Sequence, residues 1–191
     1  MKKIILASAS PRRKELLQVL GLKFEVDPSD FDEHMHCQLE GHELARAISL
    51  EKAERVAKRH RNALIIAADT LIVLHNTILG KPRDDAEAKV MLEMLSGEAH
   101  TVITGFTIID TKDHRTMSKS VETKVYMKKL SAAEIDAYIK SKEPQDKAGA
   151  YAIQGLGSVI VERIEGDFFN VIGLPLSALA ETLKEFGIRV L

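Results

Sequence analysis

Three stretches of this chain hold residue types that could bind and cleave a phosphate ester or anhydride. The first is Ser8-Ala9-Ser10-Pro11-Arg12-Arg13. Proline following a serine predicts a helix start, and a helix N-terminus already presents unpaired N–H groups and partial positive charge. Two arginines in that first turn add like charge, a conflict that an anion would remove. Serine hydroxyls, backbone N–H groups and a guanidinium fork together suit a phosphate. The plainer alternative makes Ser10 a cap and leaves the arginines solvated. The second residue is Lys52, which at 100° per residue falls within the apolar stripe Leu44, Ala45, Ile48, Ala53 and Val56. A lysine there either snorkels past the edge of the core or faces a cleft. The third is Asp69, at the end of the apolar run Ala63 to Ala68. Open α/β sheets place ligand-binding groups at such strand ends. A carboxylate there can bind Mg²⁺ or Mn²⁺, or accept a proton from an attacking water; otherwise it caps a turn through Thr70.

Further polar residues stand in less decisive settings. Glu33, beside Asp32 on a polar loop, offers a second carboxylate or is simply solvated. Lys81 lies in the rigid turn Gly80-Lys81-Pro82, and Gln154 in a long glycine-rich loop. The amide of Gln154 carries both a donor and an acceptor, as reading a base edge requires. No Walker A pattern occurs, so Gly155-Leu156-Gly157 is no argument for a P-loop. The histidines at 34, 36, 42, 60, 75, 100 and 114 show no metal-ligand spacing, and no Ser-His-Asp arrangement is evident.

The elements that must position these residues alternate as in an α/β protein. Strands are predicted at Lys3 to Ala7, Lys23 to Val26, Ala63 to Ala68, His100 to Asp110, Met117 to Met127 and Ser158 to Ile164, with a hairpin in Leu71 to Leu79 around His75-Asn76. Helices are predicted from Pro11 to a stop at Gly21, from about Gly41 to His60, after Pro175, and behind two capping-box signatures. The boxes are Asp84/Glu87, for a helix closing at Ser96-Gly97, and Ser131/Glu134, for one reaching about Ser141. Glu143 to Gly157 reads as a loop.

Composition narrows the function classes. With 191 residues the chain is about one domain long, and it is 45% hydrophobic and 29% charged, ordinary for a globular protein. Its 27 basic and 28 acidic residues give a net charge of −1, without the basic excess of a nucleic-acid binder. A single cysteine, Cys37, excludes an internal disulfide or a cysteine zinc site and fits a reducing cytoplasm. The apolar run after Lys2-Lys3 is too short for a signal peptide, and no stretch approaches a membrane span.

Taken together, these segments resemble the Maf family of nucleotide pyrophosphatases. The matching stretches are Ser8 to Arg13, Asp32-Glu33, Glu51-Lys52-Ala53, Ala68-Asp69-Thr70, Gly80 to Arg83, Leu95-Ser96-Gly97, Asp146 to Tyr151, Ile153-Gln154-Gly155 and Val171 to Pro175, in order across the chain. The resemblance implies one domain over 1–191: an elongated α/β fold of mixed sheet and helices, two lobes around a deep cleft, similar to inosine triphosphate pyrophosphatases. It implies hydrolysis of a nucleoside triphosphate to the monophosphate and pyrophosphate, with a divalent metal cation (Mg²⁺ or Mn²⁺) and often a homodimer. In its terms Asp69 is the catalytic base, and Ser8, Arg12, Arg13, Lys52 and Lys81 bind the triphosphate. Glu33 helps Asp69 with the metal. Arg12, Thr70 and Gln154 follow the pattern of the branch acting on dTTP and UTP; the branch acting on 7-methyl-GTP tends to carry a tryptophan, a glutamine and a glutamate there. Maf-like proteins are also associated with arrest of septum formation, so a nucleotide-binding regulator is the rival expectation.

Overall fold

The computed structural model describes residues 2–30 and 39–191. In chain order the elements are β1 (Lys3–Leu6), α1 (Pro11–Val19), β2 (Glu25–Val26), α2 (Gly41–Ala57), β3 (Ala63–Leu74), β4 (Thr77–Leu79), α3 (Asp85–Leu95), β5 (Ala99–Asp110), β6 (Arg115–Met127), α4 (Ala132–Lys140), β7 (Val161–Glu165), α5 (Phe168–Ile172) and α6 (Leu176–Lys184). Short 3₁₀ turns occupy Glu143–Asp146, Ala148–Ala150 and Gly155–Val159. The strands form one mixed sheet in the order β2-β1-β3-β5-β6-β7, with β4 paired antiparallel to β3. The chain divides into two compact units: residues 1–69, 104–121 and 173–191, and residues 70–103 and 122–172.

In the first unit β1 lies parallel to both β2 and β3, with Ile5 opposite Ile65. Side chains alternate along β3, so Ala63, Ile65 and Ala67 share a face. That face packs with Ile5, Ala7 and Ile109 and with Ala53 and Val56 of α2. Gly105 of β5 lets the helix sit this close: a Cβ there would lie 2.2 Å from the carbonyl carbon and oxygen of Ala45. The core therefore fixes the distance at which α2 presents its other inward residues to β3.

The second unit has its own apolar core. Ile72 and Leu74 of β3, Ala88, Leu92 and Leu95 of α3, Val102, Val125 and Met127 of the long strands, and Ile135 and Tyr138 of α4 meet there. Ser131 and Glu134 form the complete capping box expected for α4. The box at α3 is half made. Asp84 accepts from the Glu87 backbone N–H, but the Glu87 carboxylate turns to the N–H and guanidinium of Arg83 instead.

Four expectations need correction. β3 does not stop before Asp69 but runs on to Leu74, so Asp69 and Thr70 are interior strand residues. The hairpin turn to β4 does fall at His75 and Asn76 as expected, both at positive φ (48° and 65°). The strand at Lys23 shrinks to Glu25–Val26, and β7 starts only at Val161, because Gly155–Val159 forms a 3₁₀ turn. The loop from Glu143 to Gly157 is largely built of such turns.

One buried polar group in the second unit yields a stability prediction. His100, 2% exposed, meets the Tyr151 hydroxyl through Nε2 at 2.7 Å, while its Nδ1 has no hydrogen-bond partner among the described residues. Burial pushes His100 down to about 4. The folded protein thus keeps this ring neutral while the unfolded chain, near the ordinary value of 6.5, takes up a proton. Stability from this group is complete above about pH 6.5 and falls as the pH drops, by about 3 kcal/mol at pH 4. Urea unfolding of wild type and His100→Gln across pH 7.5 to 4 should show the smaller slope in the variant; parallel slopes would remove His100 as the cause.

Candidate functional site

The N-cap of α1 forms as the sequence predicts. Ser10 takes extended backbone (φ −67°, ψ 118°), and its Oγ accepts the Arg13 backbone N–H at 3.4 Å. Ser8, 7% exposed, turns its hydroxyl into the same turn. Its Oγ accepts the Ser10 N–H at 3.3 Å and Arg13 Nη1 at 3.3 Å. The guanidinium of Arg13 is held on its other side, where Nε donates to the Gly173 carbonyl at 2.9 Å. Ser10 is therefore a true cap, and Arg13 is fixed in plane by two anchors rather than loosely solvated. Arg12, beside it, is half-buried.

The second constellation is an ion pair between α2 and β3. Lys52 is 8% exposed and belongs to the buried face of its helix, so the solvated alternative does not hold. By strand alternation Asp69 shares the face of Ile65 and Ala67, the one α2 covers. Lys52 Nζ donates to Asp69 Oδ1 at 2.6 Å. Desolvating both groups is costly, and their contact offsets that cost only while both are present. A carboxylate in a strand interior, where Asp is disfavoured, tied to a lysine in an apolar stripe, is an arrangement packing alone does not call for.

Thr70, Lys81 and Gln154 belong to the second unit. Thr70 follows Asp69 on β3 and is half-buried, while Lys81 and Gln154 are exposed. The Gly80 carbonyl accepts the Gly149 N–H at 2.9 Å, so the lysine turn and the glycine-rich loop are joined. Gln154 caps the 3₁₀ turn Gly155–Val159 with extended backbone, and its side chain makes no capping hydrogen bond. Lys147 donates to the Glu143 carbonyl at 2.6 Å and to Asp146 at 2.5 Å.

A residue the sequence did not single out organises this loop. Glu143 Oε1 accepts the Tyr138 hydroxyl at 3.0 Å and the Gly157 N–H at 3.1 Å, and Oε2 accepts the Leu156 N–H at 3.0 Å. Burial by itself would raise this carboxyl, but the two backbone donors and Tyr138 outweigh it and hold Glu143 below the usual range. Tyr138, pushed up chiefly by burial, stays a donor. Its oxygen in turn accepts the Ala152 N–H at 3.2 Å.

Glu33, expected beside the metal, lies outside the described residues. The segment leading to it is pinned to the end of α2: Arg59 and His60 both contact the Asp27 carboxylate, and Arg55 donates to the Asp30 carbonyl. Among the described residues no group of three or more His, Cys, Asp or Glu could hold a metal ion. No helix among them is long and apolar enough to cross a membrane.

The family profile described as Maf-like protein matches residues 3–186. The chain belongs to the Maf-like family. A protein of Thermoanaerobacter sp. (strain X514) named dTTP/UTP pyrophosphatase is 51% identical to this Maf-like chain over 191 residues, spanning 99% of this chain and 100% of that protein. One of the same name from Acetivibrio thermocellus is 49% identical over 198 residues, spanning 100% of this chain and 98% of the relative. Among solved structures, a HAM1 protein from Coxiella burnetii superposes with a TM-score of 0.58 at 17% identity, over 97% of this chain and 100% of that one. That likeness establishes a shared fold alone.

Proposed function

We propose that this Maf-like chain hydrolyses dTTP and UTP to the monophosphate and pyrophosphate. The name shared by its full-length relatives supports the substrate class. The observation in the molecule that carries the chemistry is the buried Lys52–Asp69 pair. In this reading the Asp69 carboxylate takes the proton of the attacking water. Oδ1 accepts from Lys52, and the reading assigns Oδ2 as the atom that takes the proton. The water oxygen bonds to the α-phosphorus, the bond to the α–β bridging oxygen breaks, and pyrophosphate leaves with that electron pair. Charge building on the phosphate oxygens is met by Lys52, by the Arg13 guanidinium held between Ser8 and Gly173, by Arg12 and by Lys81. Thr70, Gln154 and Arg12 select the base.

Asp69, with Glu33, would hold a divalent cation. One or two carboxylates completed by substrate phosphates and water suit Mg²⁺ or Mn²⁺, so a donor set smaller than a full protein cage fits a metal arriving with the nucleotide. When bound, it would polarise the phosphate oxygens. A homodimer and a cytoplasmic location are part of the same proposal.

The test is incubation with Mg²⁺ or Mn²⁺ and a panel of dTTP, UTP, dCTP, GTP and 7-methyl-GTP, with product identification. Pyrophosphate and monophosphate from dTTP and UTP are expected. Release of orthophosphate overturns the reaction, and a preference for 7-methyl-GTP overturns the base selectivity alone.

A further inference from the structure

We propose that Glu143 is a positioning residue for base selectivity, acting through the segment that carries Gln154. The inference rests on the reading of Gln154 given above and adds a residue to it. Gln154 sits between two points fixed by one polar unit. On its N-terminal side the Ala152 N–H donates to the Tyr138 oxygen, and on its C-terminal side the N–H groups of Leu156 and Gly157 donate to the Glu143 carboxylate. Tyr138 and Glu143 are themselves hydrogen-bonded at 3.0 Å, so both anchors belong to one network. The chain between Ala152 and Leu156 is three residues, with Gln154 in the middle, and can move little while both anchors hold.

Geometry makes the carboxylate hard to replace. Two successive backbone N–H groups converge on it, a concave donor arrangement that favours an anion. Gly155 directly precedes these two donors, at φ +63°, and a Cβ there would stand 2.7 Å from Glu143 Oε2, so the carboxylate rests directly against the backbone it orients. Glu143 is also braced from below. Its neighbours Lys142 and Gln145 both contact the Asp85 carboxylate at the start of α3, at 2.6 and 3.0 Å, and Lys147 donates to its carbonyl. A glutamine at 143 keeps the shape but has a single acceptor oxygen, and its NH₂ would face a backbone N–H or the Tyr138 hydroxyl.

The exposed side chain of Gln154 is therefore presented from a held backbone. Readout of a base edge needs donor and acceptor placed to a fraction of an ångström, and a loosened scaffold loses that placement first. In this reading the groups assigned to phosphate cleavage lie outside residues 152–157, so loosening that segment should appear in substrate choice rather than in the chemical step.

The experiment compares wild type, Glu143→Gln, Gln154→Ala and the double variant, measuring kcat and KM with Mg²⁺ for dTTP, UTP and GTP. For Glu143→Gln the ratio of kcat/KM for dTTP to that for GTP is expected to fall about tenfold, most of it through the KM for dTTP. The double variant should lose little more selectivity than Gln154→Ala alone, because both changes remove one function. An equal fall for all three nucleotides would mark Glu143 as merely structural and overturn the proposal, as would strictly additive losses. If Gln154→Ala leaves the ratio unchanged, the Gln154 reading has failed and the proposal falls with it; a shift in Gln154→Ala alone overturns the positioning role only. Should Glu143→Gln not fold, Tyr138→Phe severs the Ala152 anchor with the carboxylate intact, and must lower the same ratio for the proposal to stand.

Discussion

Asp69→Asn is expected to lower kcat for dTTP by about 10³-fold, the range associated with removing a positioned general base. Metal-free nucleotide binding should survive, because the change removes a negative charge from the neighbourhood of a triphosphate. Folding will not be untouched. Asparagine can still accept from Lys52 through its amide oxygen, but the ammonium, 8% exposed, loses the Asp69 charge beside it. Removing one partner of a buried pair typically costs about 3–5 kcal/mol, and the retained hydrogen bond places this change towards the lower end. The expected signature is a lower Tm, a measurable nucleotide Kd and negligible turnover. Near wild-type kcat would take Asp69 out of the base role. Loss of binding together with turnover would point to local unfolding instead.

That prediction shows what was legible in the sequence and what was not. The helix beginning Ser10-Pro11, the stripe carrying Lys52 and the apolar run into Asp69 all formed, because short-range rules govern each: a cap, a 3.6-residue period, a continuous buried strand. The continuation of β3 through Asp69 to Leu74 was not legible. An aspartate interrupts an apolar run, and the lysine 17 residues earlier in the chain offsets its burial. The pairing is tertiary, while the expectation was local. Glu143 was missed for a related reason. Two of its three partners are backbone N–H groups 13 and 14 residues further on, and backbone donors leave no trace in residue types. The short helix α5 had a signal that went unused: Asp167 accepts the N–H groups of Phe169 and Asn170, an ordinary cap concealed by two adjacent phenylalanines.

Lys52 permits a sharper separation of chemistry from stability than Asp69→Asn alone can give. Lys52→Met keeps most of the side-chain volume on the buried face of α2 but leaves a carboxylate, 7% exposed, without its ammonium. A loss of about 3–5 kcal/mol in unfolding free energy is expected, by the same reasoning that applies to its partner. Activity should fall as well, by about 10²- to 10³-fold in kcat/KM, since a preorganised cation aimed at developing phosphate charge is removed. Combining Lys52→Met with Asp69→Asn removes both charges at once, and a methionine facing a neutral amide no longer strands an ion. The double variant should therefore be more stable than Lys52→Met alone, a non-additive recovery that urea unfolding can read directly. Its turnover should remain as low as that of Asp69→Asn. A pair kept for stability alone would behave differently: removing it whole would leave kcat/KM near wild type, and that result would move the catalytic centre away from α2 and β3.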